Sequence, residues 1–184
     1  MTMRRAPIIL AAMLALGALS GVGAYQRVPP ATQGTAHWRE IAWPFPRDGW
    51  PAGRAFRCDG GACDGAELYV RAKLGFCNCE RGVADDDEVD RVTDLDLISP
   101  RFAATAPGGE IQVGDLHGRA RRYNLDMPDG SRHAASGIAV SRRCDLLVAV
   151  AQGAGAPMGV QRAALAFLER QEMKAWMLAA LDGR

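Results

Sequence analysis

The chain has 184 residues, 48% of them hydrophobic and 23% charged, with a formal net charge of +1. That is enough apolar material for one core and enough length for one domain. A charge this close to zero gives no bulk attraction to nucleic acid, so none is expected as a partner. The 21 glycines, with frequent alanine, favour a loop-rich fold over a long coiled coil.

The chain opens with Arg4 and Arg5, then an almost wholly apolar run from Ala6 to Leu19, then Ser20-Gly21-Val22-Gly23-Ala24. A short basic region, an apolar stretch and small residues at −3 and −1 (Val22 and Ala24) form the pattern of a secretory signal peptide. The competing reading is a membrane anchor, because residues 6–25 reach the ~20 apolar residues a span requires. On either reading the two arginines stay on the cytoplasmic side and the rest is exported. The protein is therefore expected to be periplasmic or secreted, or held at the inner membrane through residues 6–25. Cleavage would remove two of the 22 basic residues and leave the mature chain near −1. No cysteine lies near the cleavage site, which argues against a lipid-anchored form.

Residues 25–36 read as a linker, with Pro29-Pro30 favouring extended backbone. A single exported domain is expected over 37–184. Its first stretch, His37 to Pro51, holds three of the four tryptophans together with Phe45, Pro44 and Pro46. The prolines confine any strand around Trp38 to Trp43 to a sheet edge. The aromatic rings suit either a platform for sugars or peptides, or a segment that wraps the core and buries them.

Arg54 to Cys58 is a short strand, and Cys58-Asp-Gly-Gly-Ala-Cys63 is a turn that a disulfide would clip. Glu67 to Phe76 has the clearest strand pattern in the chain. Leu68, Val70, Ala72, Leu74 and Phe76 alternate with Glu67, Tyr69, Arg71 and Lys73, which predicts one buried face and one wet face. The Cys77-Asn78-Cys79 turn follows. Asp85 to Thr93 reads as a helix, with Asp85 as cap, Glu88 three residues on, and Asp86 and Asp87 at the positive end of the helix dipole. Leu95 and Leu97 alternate, so an extended segment is expected before Pro100.

Strands are expected around Ile111–Val113 and Arg119–Leu125. His133–Ser141 and Cys144–Gln152 should pair as a hairpin turning at Arg142-Arg143, with Cys144, Leu146, Val148 and Val150 on one face. Val160 to Leu181 is helical, with Ala164, Phe167, Leu168, Gln171, Ala175 and Leu178 near one face. Gln171 interrupts that stripe and allows two shorter helices. The fold class this predicts is α+β: an antiparallel sheet packed by a C-terminal helix and by a short helix after the Cys-x-Cys turn. The helices are expected on one side of the sheet.

Five cysteines in an exported domain imply at most two internal disulfides and one cysteine over. Cys58, Cys63 and Cys144 are the disulfide candidates. Cys77 and Cys79 are the candidate redox or metal pair, because neighbouring thiols can form a labile disulfide or hold a soft ion such as Cu(I). His37, His117, His133, Met127 and Met158 are the side chains that could complete such a metal site. The bland reading places Cys77 and Cys79 in separate structural roles. The acidic run Asp85 to Asp90 lacks the glycine and terminal glutamate of a calcium loop, and helix initiation accounts for it. Arg119, Arg121, Arg122, Arg132, Arg142 and Arg143 would make a basic patch for an anionic lipid or polyanion if their strand ends align. The bland alternative is solvated charge at sheet edges. No nucleophile elbow, zinc-protease helix or phosphate loop is present. The expectation is a non-enzymatic binding or interaction domain with an envelope partner and no cofactor. The alternative is a thiol-redox or copper-handling protein.

Overall fold

The computed structural model describes residues 36–61, 63, 65–76 and 79–183. The expected signal or anchor segment, nearly all of the linker, and Cys77 lie outside the described residues. Among the described residues are eight strands: β1 (His37–Ile41), β2 (Arg54–Asp59), β3 (Glu67–Lys73), β4 (Phe102–Ala104), β5 (Gly109–Val113), β6 (Leu116–Asp126), β7 (Arg132–Arg142) and β8 (Asp145–Gly153). Four helices accompany them: α1 (Asp86–Val92), α2 (Leu95–Ile98), α3 (Pro157–Leu168) and α4 (Gln171–Leu181).

All strands join one antiparallel sheet in the order β1-β2-β3-β8-β7-β6-β4, with β5 also paired to β6. The α+β class expected from the sequence is the one observed. β3 closes the sheet against the last strand, from Glu67 opposite Gln152 to Lys73 opposite Leu146. β1 is an edge strand, as expected, and ends at Ile41, before Pro44 and Pro46.

One face carries the larger core. Leu68, Val70, Ile138, Val140, Leu147, Ala149 and Ala151 pack beneath Val160, Ala164, Phe167 and Leu168 of α3 and Met173, Met177 and Leu181 of α4. Each large side chain so buried contributes about 1.5–3 kcal/mol. Trp38 of β1 joins this core, its ring 5.0 Å from that of Phe167. The C-terminal helix breaks at Glu169 and Arg170, and the break resets the phase of its apolar stripe. Met173, Met177 and Leu181, spaced four apart, replace the expected Ala175 and Leu178, which face solvent.

The second face is buried too, against expectation. Tyr69, Arg71 and Lys73 of β3 are 7%, 3% and 6% exposed. The aromatic segment from Trp43 to Trp50 covers them from one side, and α1 and α2 from the other. Alternation of apolar and charged residues mimics a half-wet strand, but here acidic partners neutralise the charged positions. Helices therefore lie on both faces, with α3 and α4 opposite α1 and α2. Leu74, placed in the core by the alternation, is 43% exposed just past the strand end. Phe76 instead turns to the second face, against Trp50 and beside Val89 and Val92.

Leu95 to Ile98, expected as extended, forms the short helix α2. Leu95 and Ile98, three apart, meet Tyr123, Leu125 and Val150 on the sheet. That spacing prevails over the alternation of Leu95 and Leu97, because burial of Leu95 outweighs a weak local preference. The short strand β4 has no sequence signature: all three residues are exposed, and pairing to β6 defines it.

Candidate functional site

The cysteines resolve into two bonds. Cys58 pairs with Cys63 across a Cα separation of 6.1 Å and closes the β2–β3 turn, where Cys58 N–H also donates to Ala66 O at 2.8 Å. Cys79 pairs with Cys144 across 4.2 Å, joining points 65 residues apart. Such bonds persist in an oxidising, exported setting. By count, the fifth cysteine is Cys77. Among the described residues no three histidines, cysteines or carboxylates come together as a metal site. The histidines are dispersed: His37 is on the edge strand, His117 on β6, and His133 on β7 beside Gln152. Met127 packs beside Leu125, while Met158 accepts a contact from Arg122 at the start of α3.

The acidic run is spent on the fold. Asp85 accepts the Glu88 amide at 2.9 Å and caps α1, as its position predicted. Asp86 and Asp90, one helical turn apart, both face the sheet. Asp86 takes the Gly108 amide at 2.8 Å and Arg119 at 3.0 Å, which hold its carboxyl below the usual range. Asp90 accepts from Arg121 at 2.7 Å and from Tyr123 at 2.5 Å. Burial and the Asp90 carboxylate together push the Tyr123 hydroxyl pKa up. Four of the six arginines thus meet nearby carboxylates: besides Arg119 and Arg121, Arg132 meets Asp126 at 3.3 Å and Arg142 meets Asp182 at 3.0 Å.

A second charged cluster fastens the aromatic strap. Arg71 donates to Asp94 through Nε and one terminal nitrogen, both at 2.7 Å. It also grips Asp48 of the strap at 2.8 and 2.6 Å. Lys73 Nζ lies 2.8 Å from Asp94 and donates to Val92 O. Burial works against the Arg71 charge, but the two carboxylates outweigh it and raise its pKa. Asp48, held by the Arg71 fork, is lowered to about 2. Trp43, Phe45 and Tyr69 meet edge to face, with centroids 4.8–6.3 Å apart. The strap rings thus spend much of their surface on each other and on β3.

Near the strap, Glu67 collects Arg57 at 2.6 Å, Gln152 at 2.9 Å and the Tyr69 hydroxyl. Gln152 in turn meets His133 Nδ1 at 2.5 Å. Burial opposes the charge of Glu67, yet these donors lower its pKa overall. They satisfy a carboxylate that is only 16% exposed, as a buried charge requires.

The remaining polar groups converge at a different place. A cleft of about 490 Å³ opens on the second face between the loop before α1 and the strands β5, β6 and β7. Register fixes its floor: Gln112 stands opposite His117, His117 opposite Ser141, and Glu110 opposite Arg119. Cross-strand partners share a face, so Glu110, Gln112, His117 and Ser141 present a carboxylate, an amide, an imidazole and a hydroxyl side by side. Arg81, Val83 and Ala84 form the facing wall. Val83 is buried against Val89 and Val92 and pins that wall to α1. Gly82, at a positive φ of 56°, lays its backbone on Ser141, where a Cβ would come within 2.3 Å of the hydroxyl oxygen. Cys79 and Cys144 flank this arrangement in the chain, two residues before Arg81 and three after Ser141. Of the cleft residues, sequence reading singled out only His117, and as a metal candidate. Glu110, Gln112 and Ser141 carry no motif; strand register brings them together.

Among the described residues no helix is long and apolar enough to cross a membrane. No protein-family model matches the chain, and no curated protein does. Among solved structures, a protein of unknown function from Pseudomonas aeruginosa is similar over 77% of this chain and 85% of that chain, with 12% sequence identity and a TM-score of 0.37.

Proposed function

We propose that this chain is an exported, disulfide-stabilised binding domain of the bacterial envelope that takes a small polar ligand in the Arg81–His117–Ser141 cleft without transforming it. The observation that carries the reading is the convergence of Glu110, Gln112, His117 and Ser141, from three neighbouring strands, on one cavity. Its volume falls in the usual range for small-molecule sites, about 300–1,000 Å³. The donor and acceptor mix suits a solute with several hydroxyl, amide or charged groups, such as a sugar, an amino acid or a short peptide. Two further features support export: the N-terminal pattern of residues 1–24, and two disulfides within one domain. Cleavage after Ala24 would release the domain into the periplasm or medium; retention of residues 6–25 would hold it at the inner membrane.

The test is a thermal-shift screen of the oxidised protein against amino acids, dipeptides and sugars at millimolar concentration, followed by calorimetry. A ligand present at 100 times its dissociation constant adds about 2.7 kcal/mol of stability. The expected result is a binder whose shift disappears in His117→Ala and Glu110→Ala and survives in Arg132→Ala, a substitution on the far end of β7. A screen without any shift, or a shift that both cleft variants retain, overturns the proposal.

A further inference from the structure

We propose that the groove between α3 and β6 binds a single-chain amphiphile with an anionic head, of which a fatty-acid carboxylate is the simplest form. The groove lies on the α3 side of the sheet, opposite the Arg81–His117–Ser141 cleft, and the proposal does not rest on that cleft.

The groove has a volume of about 420 Å³ and follows one stripe of α3, from Met158 through Arg162 and Leu165 to Glu169. At the helical rise that stripe is about 16 Å long. Arg122 of β6 forms the other wall. It stands two places beyond Ala120 of the main core, so its side chain leaves the strand on the α3 side. Met158, Leu165 and Ala166 make the lining apolar. Met158 is 54% exposed, more than any other large hydrophobic side chain among the described residues, and an unbranched thioether can repack along a ligand.

Charge is confined to the two ends. Among the described residues neither Arg122 nor Arg162 meets a carboxylate. The Arg122 guanidinium touches only the Met158 sulfur, a weak acceptor, and Arg162 stands one helical turn beyond Met158. The dipole of α3 is positive at this same end, and no acidic residue in the first turn offsets it. Glu169, at the far end, is already engaged by the Gly114 amide at 2.7 Å and by Lys174 at 3.5 Å. Two uncompensated guanidiniums beside an apolar trough complement an acyl chain that ends in an anion, because their planar forks match a carboxylate. The trough offers little to a peptide backbone. β6 is paired on both sides, and Arg122 O already accepts the Thr105 amide at 2.9 Å, so no strand edge is open there.

The experiment titrates the exported, oxidised protein with decanoate by calorimetry, below its micelle concentration, and follows the methionine methyl signals by NMR. Hexanoate shortens the chain; decyl maltoside keeps the chain but carries an uncharged head. The expected result is saturable binding of one decanoate that shifts the Met158 signal, with hexanoate and decyl maltoside each weaker by about tenfold or more. Arg122→Gln and Arg162→Gln should each weaken decanoate binding about tenfold, the worth of one hydrogen bond to a charged group. Neither arginine has a carboxylate to lose, so both variants should keep the parent melting temperature. His117→Ala, on the opposite face, should bind as the parent does. No saturable binding, equal binding of decyl maltoside, shifts that spare Met158, or unchanged affinity in both arginine variants overturns the proposal. A dimer in solution that Met158→Ser disperses also overturns it, because the groove would then belong to a second copy. A failed ligand screen at the cleft leaves this result standing, and the reverse holds.

Discussion

Replacing Asp94 by alanine strips the carboxylate from beneath two cations at once. Arg71, 3% exposed, loses two hydrogen bonds of 2.7 Å, and Lys73, 6% exposed, loses its ion pair at 2.8 Å. Breaking a buried pair from one side costs about 3–5 kcal/mol, because the orphaned charge stays desolvated. Here two positive charges are left facing each other with only Asp48 to balance them, which places the expected loss toward the upper end of that range. A domain of this size unfolds with roughly 7–20 kcal/mol, at about 0.05–0.15 kcal/mol per residue. The variant should therefore lose a quarter or more of its stability and melt about 10 °C lower, since each kcal/mol shifts a domain this large by about 2–4 °C. Asp48→Ala is the matched control: its side chain is 27% exposed, so the loss should be only about 1–2 kcal/mol. Urea unfolding monitored by tryptophan fluorescence measures both, with Trp43 and Trp50 lying over the cluster. An Asp94→Ala loss below about 1 kcal/mol, or one no larger than that of Asp48→Ala, would refute the claim that the second face of β3 is a desolvated ion cluster.

Two further outcomes follow from the same interactions and from the disulfides. Asp48 has its pKa depressed from the usual 3.8 to about 2 by the Arg71 fork. A depressed carboxylate stabilises the fold above its unfolded pKa and loses that contribution as the pH falls toward 2. Solvent screening limits the effect to about 1 kcal/mol. Urea midpoints should thus fall from pH 5 to pH 2 more steeply in the parent than in Asp48→Asn; equal slopes would contradict the pairing. For the disulfides, chain entropy predicts about 4 kcal/mol from the bond spanning 65 residues and about 2 kcal/mol from the bond spanning 5. Paired cysteine-to-serine variants at each bond, compared by urea midpoint, should rank in that order, and the reverse ranking would show that the longer bond constrains little.

How much of this was legible depends on the range of the interaction. The Asp85 cap, the β7–β8 hairpin and the break near Gln171 are local, and residue chemistry within a few positions marks them. The hairpin turns at Arg143-Cys144, one place later than expected, which leaves Cys144 in the turn and not in the strand. β3 was recognisable as a strand, but not its second burial: Arg71 and Lys73 look solvated until Asp48 and Asp94, each at least 21 residues away, are brought beside them. Trp43 and Trp50 were open to two uses by composition alone, and the long-range grip of Arg71 on Asp48 turns their segment into a strap. The cleft was the least legible feature. Glu110, Gln112, His117 and Ser141 are ordinary polar residues on separate strands, and only the register of β5, β6 and β7 aligns them. For the Cys-x-Cys turn, sequence held the partner of Cys79 open among the other four cysteines, and only the fold brings Cys144 beside it.

Non-reducing peptide mapping of the exported protein, with free thiols alkylated before digestion, tests most directly whether that turn is a staple or a dithiol. The structure predicts linked peptides for Cys58–Cys63 and Cys79–Cys144, with alkylation confined to Cys77. A linkage between Cys77 and Cys79, with Cys144 alkylated, would contradict it.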